Sequence, residues 1–321
     1  MKKKNLACLA LAVPCFALAA CATGAGSLSL SANWYPTPDS AISANTHEEL
    51  EYIVLFESAE GNNFLSYGQG SYTTALTAET TALAGGASET CYHLVSTLRI
   101  PVTYTVGGET QSFEDVVTSE VWFRDIRYSL APVKSVKTVL SHSPVATSPT
   151  TIKEAYETYD YTYTSTYNAD CTSVTINISN NNNDSELTEE VALSGSGTYL
   201  DNEQILFALR AVDPASGISF RSVNPVRRQQ ETLTMTATAV SVTERLTFSV
   251  GGAEAAEHEV AASNFSLGYS GSNGGLSQSY TYATMTDGNT YRNVLLRMDV
   301  PVLHSLGTLR YTLSSAQFSG I

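Results

Sequence analysis

Apolar and polar residues alternate along much of the chain with a period of two, which is typical of half-buried β-strands. In residues 232–242, leucine, methionine and alanine occupy one face and threonine the other. The runs 50–56 and 98–106 are apolar and β-branched, and the second ends at Gly107-Gly108, which indicates a hairpin turn. A similar run ends at Gly251-Gly252. The pattern predicts an all-β fold with one or more large antiparallel sheets.

One segment has a helical pattern instead. Asp201 is a good N-cap, Gln204 follows three positions later, and Ile205 and Leu209 share one helix face. Residues 73–84 are rich in threonine and alanine and are compatible with either a helix or strands. We therefore expect at most one or two short helices.

The N-terminus has the pattern of an export signal. Lys2, Lys3 and Lys4 precede an apolar run over residues 6–20, which is shorter than the roughly 20 residues needed to span a bilayer. The sequence Leu18-Ala19-Ala20-Cys21 then resembles the lipobox of bacterial prolipoproteins. The resemblance implies that residues 1–20 form a signal peptide, cleaved after diacylation (for example with palmitate) of the Cys21 thiol.

Residues 21–46 are mainly small and polar. Such a stretch buries too little apolar surface to order itself, so we expect the lipid anchor at Cys21 to continue into a flexible tether. The lipobox resemblance implies a protein anchored to the cell membrane by its lipid and facing the exterior or the periplasm.

The charge balance narrows the set of partners. Loss of Lys2, Lys3 and Lys4 lowers the 17 basic residues to 14, against 31 acidic residues, which gives a formal charge of −17. Nucleic acid is bound by clustered lysine and arginine, so we expect no nucleic-acid partner.

Residues 144–151 contain two prolines and no periodic apolar pattern, which is typical of a connector. It separates two β-rich parts, residues 47–143 and 152–321. These parts are compatible with two domains or with two halves of one long curved sheet.

The layout resembles large β-sheet domains of exported bacterial proteins of unknown function, akin to half-barrel lipoprotein carriers. The resemblance rests on Ser119–Phe123 leading to Leu130–Ser135, and on Leu206–Arg210 before a strand. It implies a curved sheet whose concave side shelters an apolar ligand, and it transfers no functional residue.

No motif predicts catalysis, a metal or a cofactor. Gly268-Tyr269-Ser270-Gly271-Ser272 lacks the final glycine of a nucleophile elbow, and no helix signal follows it. The five histidines are isolated, without the spacing of metal ligands. We therefore predict a protein that is not an enzyme.

Two sets of residues are candidates for other roles. Cys91 and Cys171 are compatible with a disulfide or with two buried free thiols. Tyr159, Tyr161 and Tyr163 line one face of a predicted strand. They are compatible with a ligand platform or with ordinary packing between strands.

These observations lead to a first hypothesis of a surface lipoprotein that binds an apolar or extended ligand. The alternative is a structural or assembly protein of the cell envelope that contacts a protein partner. Enzymatic activity is the third and least supported hypothesis.

Overall fold

The structure is a computed structural model, and it describes residues 42, 44–125, 128–194, 199–211, 218–269, 278–284 and 293–319. The predicted signal peptide (residues 1–20), Cys21 and nearly all of the predicted tether lie outside the described residues. The loop at 270–275, with Ser270 of the incomplete elbow motif, also lies outside them.

The described residues form fifteen β-strands in a single sheet, which confirms the all-β prediction. In chain order the strands are β1 His47–Ser58, β2 Leu65–Tyr67, β3 Gly70–Ala82, β4 Ser88–Val106, β5 Glu109–Phe123, β6 Pro132–Pro144, β7 Tyr156–Tyr167, β8 Ser173–Asn180, β9 Ser185–Ala192, β10 Ile218–Asn224, β11 Gln229–Val250, β12 Ala256–Tyr269, β13 Gln278–Ala283, β14 Leu295–Pro301 and β15 Gly307–Ser319. The segment left open at 73–84 is therefore mostly strand β3.

The strand order in the sheet is β10-β11-β12-β13-β14-β15-β1-β3-β4-β5-β6-β7-β8-β9, and β2 pairs with β4. Strands that are neighbours in this order are antiparallel, and most are also neighbours in sequence. Gly107 and Gly108 form the β4–β5 turn with φ of 61° and 87°. Both values suit glycine, which has no Cβ to clash in this region.

The sheet curves until its two ends meet. Strands β9 and β10 lie at opposite ends of the strand order. Nevertheless, Arg228 in the β10–β11 turn forms an ion pair of 3.1 Å with Glu189 of β9. The Ser194 amide also donates to the Gln230 side chain of β11 at 2.9 Å. The sheet therefore has an enclosed inner face.

Strands β6 and β7 lie on either side of the predicted connector and are hydrogen-bonded neighbours, with His142 opposite Thr158. Between them, residues 145–151 have no regular structure and a 3₁₀ turn covers Ile152–Glu154.

The inner face carries the hydrophobic core, because alternate residues of each strand point inward. Its largest fully buried side chains include Tyr104, Phe123, Phe248 and Tyr280. A short helical segment lies inside the curved sheet and packs against this core: a 3₁₀ turn Asn202–Gln204, the helix α1 Ile205–Ala208, and a 3₁₀ turn Leu209–Ala211.

The helical prediction for this segment is confirmed. The Asp201 side chain accepts from the Glu203 amide at 2.8 Å, and the Gln204 side chain accepts from the Asp201 amide at 3.1 Å. These bonds form a capping box, which satisfies amides that the first turn leaves without partners. We call residues Asp201–Arg210 the plug.

Candidate functional site

A cavity lies between the plug and the inner face of the sheet. Its lining comes from three groups of elements. The residues are Tyr72, Ser96, Leu98, Val117 and Ser119 of β3–β5, Met298, Val300 and Tyr311 of β14–β15, and Asn202, Glu203 and Leu206 of the plug. Strands distant in sequence thus meet at one site because the sheet curves.

The cavity is small in its enclosed part. The empty space between the lining atoms is about 510 Å³, but this figure includes solvent at the open side. The part that is open to the centres of water molecules is about 40 Å³, and one water needs about 10–15 Å³ by this measure. The enclosed space therefore accepts about three waters or a short apolar chain.

One side of the cavity is apolar. Tyr72 of β3 lies opposite Leu98 of β4, and Leu98 lies opposite Val117 of β5. Their side chains form a row across three strands, and the Tyr311 ring packs edge-on against Tyr72 with centroids 5.6 Å apart. Met298 lies opposite Tyr311 and extends this side.

The adjacent row is polar. Ser96 of β4 lies opposite Ser119 of β5, and Ser119 lies opposite Lys137 of β6. The two serine hydroxyls are 2.7 Å apart and hydrogen-bonded. The Lys137 ammonium donates to Glu203 of the plug at 3.0 Å, and these side chains are only 5% and 7% exposed. The side-chain amide of Asn202 donates to the same carboxylate oxygen at 3.0 Å.

The tyrosine hydroxyls of the cavity stay protonated at neutral pH. The pKa of Tyr72 is raised to about 12 in total: burial raises it most, a hydrogen bond with Ser96 lowers it, and the Glu203 charge raises it. Burial also raises the pKa of Tyr311. These hydroxyls therefore act as neutral hydrogen-bonding groups.

Polar contacts hold the plug at its N-terminal end. Asp201 accepts from the hydroxyls of Ser135 on β6 and Tyr167 on β7, both at 2.7 Å. The Gln204 side chain donates to the Leu130 carbonyl at 2.8 Å. Burial raises the pKa of the Asp201 carboxyl, and the nearby Glu203 charge raises it further.

The C-terminal end of the plug is held in the same way. Arg210 makes a two-pronged ion pair with Glu48 of β1 at 2.6 and 3.0 Å. The Tyr282 hydroxyl of β13 donates to the Leu206 carbonyl at 2.9 Å. Strands from both halves of the sheet thus hold one short segment.

The tyrosine row proposed from the sequence lies inside the molecule. Tyr159, Tyr161 and Tyr163 are 8%, 7% and 4% exposed and belong to the hydrophobic core. Neighbouring rings are 6.5 and 5.9 Å apart. This placement corresponds to the packing alternative, since a platform for an external ligand needs exposed ring faces.

The two cysteines are free thiols in the structure, so the disulfide considered from the sequence is not formed in it. Burial raises the pKa of the Cys91 thiol to about 11. Burial also raises the pKa of Cys171, whose sulfur lies 3.6 Å from the Pro132 carbonyl oxygen.

A buried aspartate–histidine pair was missed from the sequence. Asp115 of β5 accepts from the His142 amide at 2.9 Å and pairs with its Nδ1 at 2.8 Å. The Phe113 ring stacks on the imidazole at 3.8 Å. The two residues are 27 positions apart, and no local pattern links them. The His142 ring also lies edge-on to the Tyr156 ring, with centroids 5.8 Å apart.

The described residues contain no group of three or more histidine, cysteine, aspartate or glutamate side chains able to hold a metal ion. No helix among them is long and apolar enough to cross a bilayer.

Fold and site together define an all-β protein whose curved sheet encloses a plug and a small cavity. No protein-family model matches the chain, and no curated protein matches it. Among solved structures, a beta-barrel-like protein of the domain of unknown function DUF1849 from Brucella abortus is similar with a TM-score of 0.49 and 8% identity. The alignment covers 87% of this chain and 99% of that one.

Proposed function

We propose that the protein is a lipid-anchored surface lipoprotein that binds an apolar ligand, without catalysis, in the cavity between plug and sheet. The cavity is the observation that carries the binding proposal. An apolar group placed beside Leu98, Val117 and Met298 is removed from water, which favours binding by roughly 25 cal/mol per Å² of apolar surface.

The anchoring proposal is supported by the sequence Leu18-Ala19-Ala20-Cys21. A lipid on Cys21 holds the sheet at a membrane surface, where apolar molecules are concentrated. The acidic chain gives no electrostatic attraction to anionic lipids, so we assign the attachment to the lipid alone.

Ligand binding is tested with residues 22–321, which keep every described contact. Met298 lines the cavity, whereas Met235 is buried elsewhere. With ¹³C-methyl methionine, xenon and n-pentane should shift the Met298 signal and leave that of Met235 in place. Absence of any Met298 shift at saturating xenon would reject the cavity as a binding site.

A cavity-filling variant provides the matched control. Val117→Leu adds one methylene group to the lining and should abolish the xenon shift. Val136→Leu makes the same change at a half-buried position outside the lining, and it should bind xenon as the unmodified protein does. Equal xenon binding by both variants would contradict the assignment.

Anchoring is tested in cells fed an alkyne analogue of palmitate. The unmodified protein should carry the label and sediment with membranes, and Cys21→Ala should lose the label. Cys15→Ala, in the predicted signal peptide, is the control and should keep the label. A labelled Cys21→Ala protein would refute the anchor.

A further inference from the structure

The lining of the cavity defines the polar chemistry of the ligand that enters it. We propose that the ligand is a short neutral amphiphile with a hydroxyl headgroup, its head against Ser96 and Ser119 and its tail against Leu98, Val117 and Met298. This inference rests on the proposed binding function and names the ligand class for the same cavity.

The charges at the polar end exclude an ionic headgroup. Glu203 is the only carboxylate among the eleven lining residues, and it is already paired with Lys137. Both side chains are almost fully buried. A second charge at this end would lose its hydration without gaining a counter-charge, which is costly in a buried site. A neutral headgroup avoids this cost.

The serine pair favours a group that both donates and accepts. Each hydroxyl has one O–H and two lone pairs. The bond between Ser96 and Ser119 uses one O–H, and the bond between Ser96 and Tyr72 uses a second. The three hydroxyls together therefore keep one O–H and several lone pairs for other partners. A hydroxyl headgroup matches both, whereas an alkane matches neither.

The position of the polar row also sets the orientation of the ligand. Ser96 lies two residues before Leu98 on β4, and Ser119 lies two residues after Val117 on β5. Residues two apart on a strand point to the same face and are separated by about 7 Å. A molecule with its hydroxyl at the serines therefore places its first carbon atoms beside the apolar row.

The test compares three ligands of equal length with residues 22–321 at pH 7: 1-butanol, butanoate and butylammonium, with the Met298 methyl signal as the readout. We expect 1-butanol to bind with a Kd at least tenfold lower than either ion. If butanoate or butylammonium binds as tightly as 1-butanol, the headgroup proposal is wrong. In that case binding of n-pentane or xenon still supports the cavity, so the two proposals fail separately.

Variants locate the headgroup. Ser119→Ala should weaken 1-butanol binding several-fold and leave n-pentane binding unchanged. Ser112→Ala is the matched control, because Ser112 makes the same kind of bond, to Thr103 at 2.9 Å, on an exposed part of β5. An unchanged Kd for 1-butanol in Ser119→Ala would overturn the proposal.

A second variant tests the charge argument independently. Glu203→Gln leaves the Lys137 ammonium without its carboxylate. This variant should therefore gain affinity for butanoate by at least tenfold over the unmodified protein. No gain in butanoate affinity by a folded Glu203→Gln protein would contradict the role assigned to the ion pair.

Discussion

The ion pair between Glu48 and Arg210 provides a test of how the plug is held. Glu48 lies on β1 and Arg210 at the end of the plug, 162 residues further along the chain. Two hydrogen bonds of 2.6 and 3.0 Å join them, and the side chains are 5% and 4% exposed. The perturbation is Glu48→Gln, which removes the negative charge and keeps the shape.

The expected loss follows from the charge left behind. Removing one partner of a buried pair costs about 3–5 kcal/mol, because the other charge stays buried without compensation. Replacing both partners by apolar residues of similar volume is often neutral or stabilising by about 1–4 kcal/mol. The double variant Glu48→Leu/Arg210→Met should therefore be more stable than Glu48→Gln alone.

The assay is urea unfolding of residues 22–321, followed by circular dichroism. With a slope of about 3 kcal/mol per molar urea, Glu48→Gln should lower the midpoint by about 1–2 M. The control is Glu49→Gln at the next position of β1, where the side chain is about half exposed. Its effect should stay within about 0.5 kcal/mol.

Two results would refute the reasoning. If Glu48→Gln shifts the midpoint no more than Glu49→Gln does, the charge at Glu48 is not buried against Arg210. If the double variant is as unstable as Glu48→Gln, the loss comes from packing around the plug and not from an uncompensated charge.

Three further predictions concern other buried groups. Iodoacetamide at pH 8 should modify the half-buried Cys171 before Cys91, because Cys91 is fully buried with its pKa raised to about 11; equal rates by mass spectrometry would contradict this. The Tyr67 hydroxyl is buried without a hydrogen-bond partner in the described structure, so Tyr67→Phe should raise the free energy of unfolding by about 1 kcal/mol; a lower urea midpoint would reveal a partner. Burial raises the pKa of Asp201 in the folded state, so its contribution to stability is full below the unfolded pKa and is lost as pH rises through the folded pKa. The stability of the unmodified protein relative to Asp201→Asn should thus fall as the pH rises above about 4, the usual pKa of an unfolded aspartate, and a constant difference would refute the shift.

Local patterns predicted the elements of the fold. The Gly107-Gly108 turn follows from two adjacent glycines between β-branched runs, because the turn needs positive φ at both positions. The start of the plug follows from Asp201 and Gln204, whose spacing suits a capping box. In both cases the signal and the structure lie within a few residues of each other.

The candidate site was not predictable in the same way. Lys137 and Glu203 are 66 positions apart, and each has the ordinary appearance of a surface charge in the sequence. They meet only because the sheet curves around the plug. The tyrosines at 159, 161 and 163 show the same limit, since alternation places them on one face without indicating that this face is enclosed.

The polar contacts of the plug and the chemistry of the cavity have a common physical origin. Apolar packing alone is non-directional, so it would allow the plug to rotate or slide along the inner face. Its contacts with Ser135, Lys137, Glu48 and Tyr282 come from three different strands, since Ser135 and Lys137 both lie on β6, and only one placement satisfies all of them. That placement brings Glu203 beside the serine row and Leu206 beside the apolar row. The buried pairs therefore act mainly on specificity, by fixing which groups line the cavity, and a variant that loosens the plug should change ligand preference as well as stability.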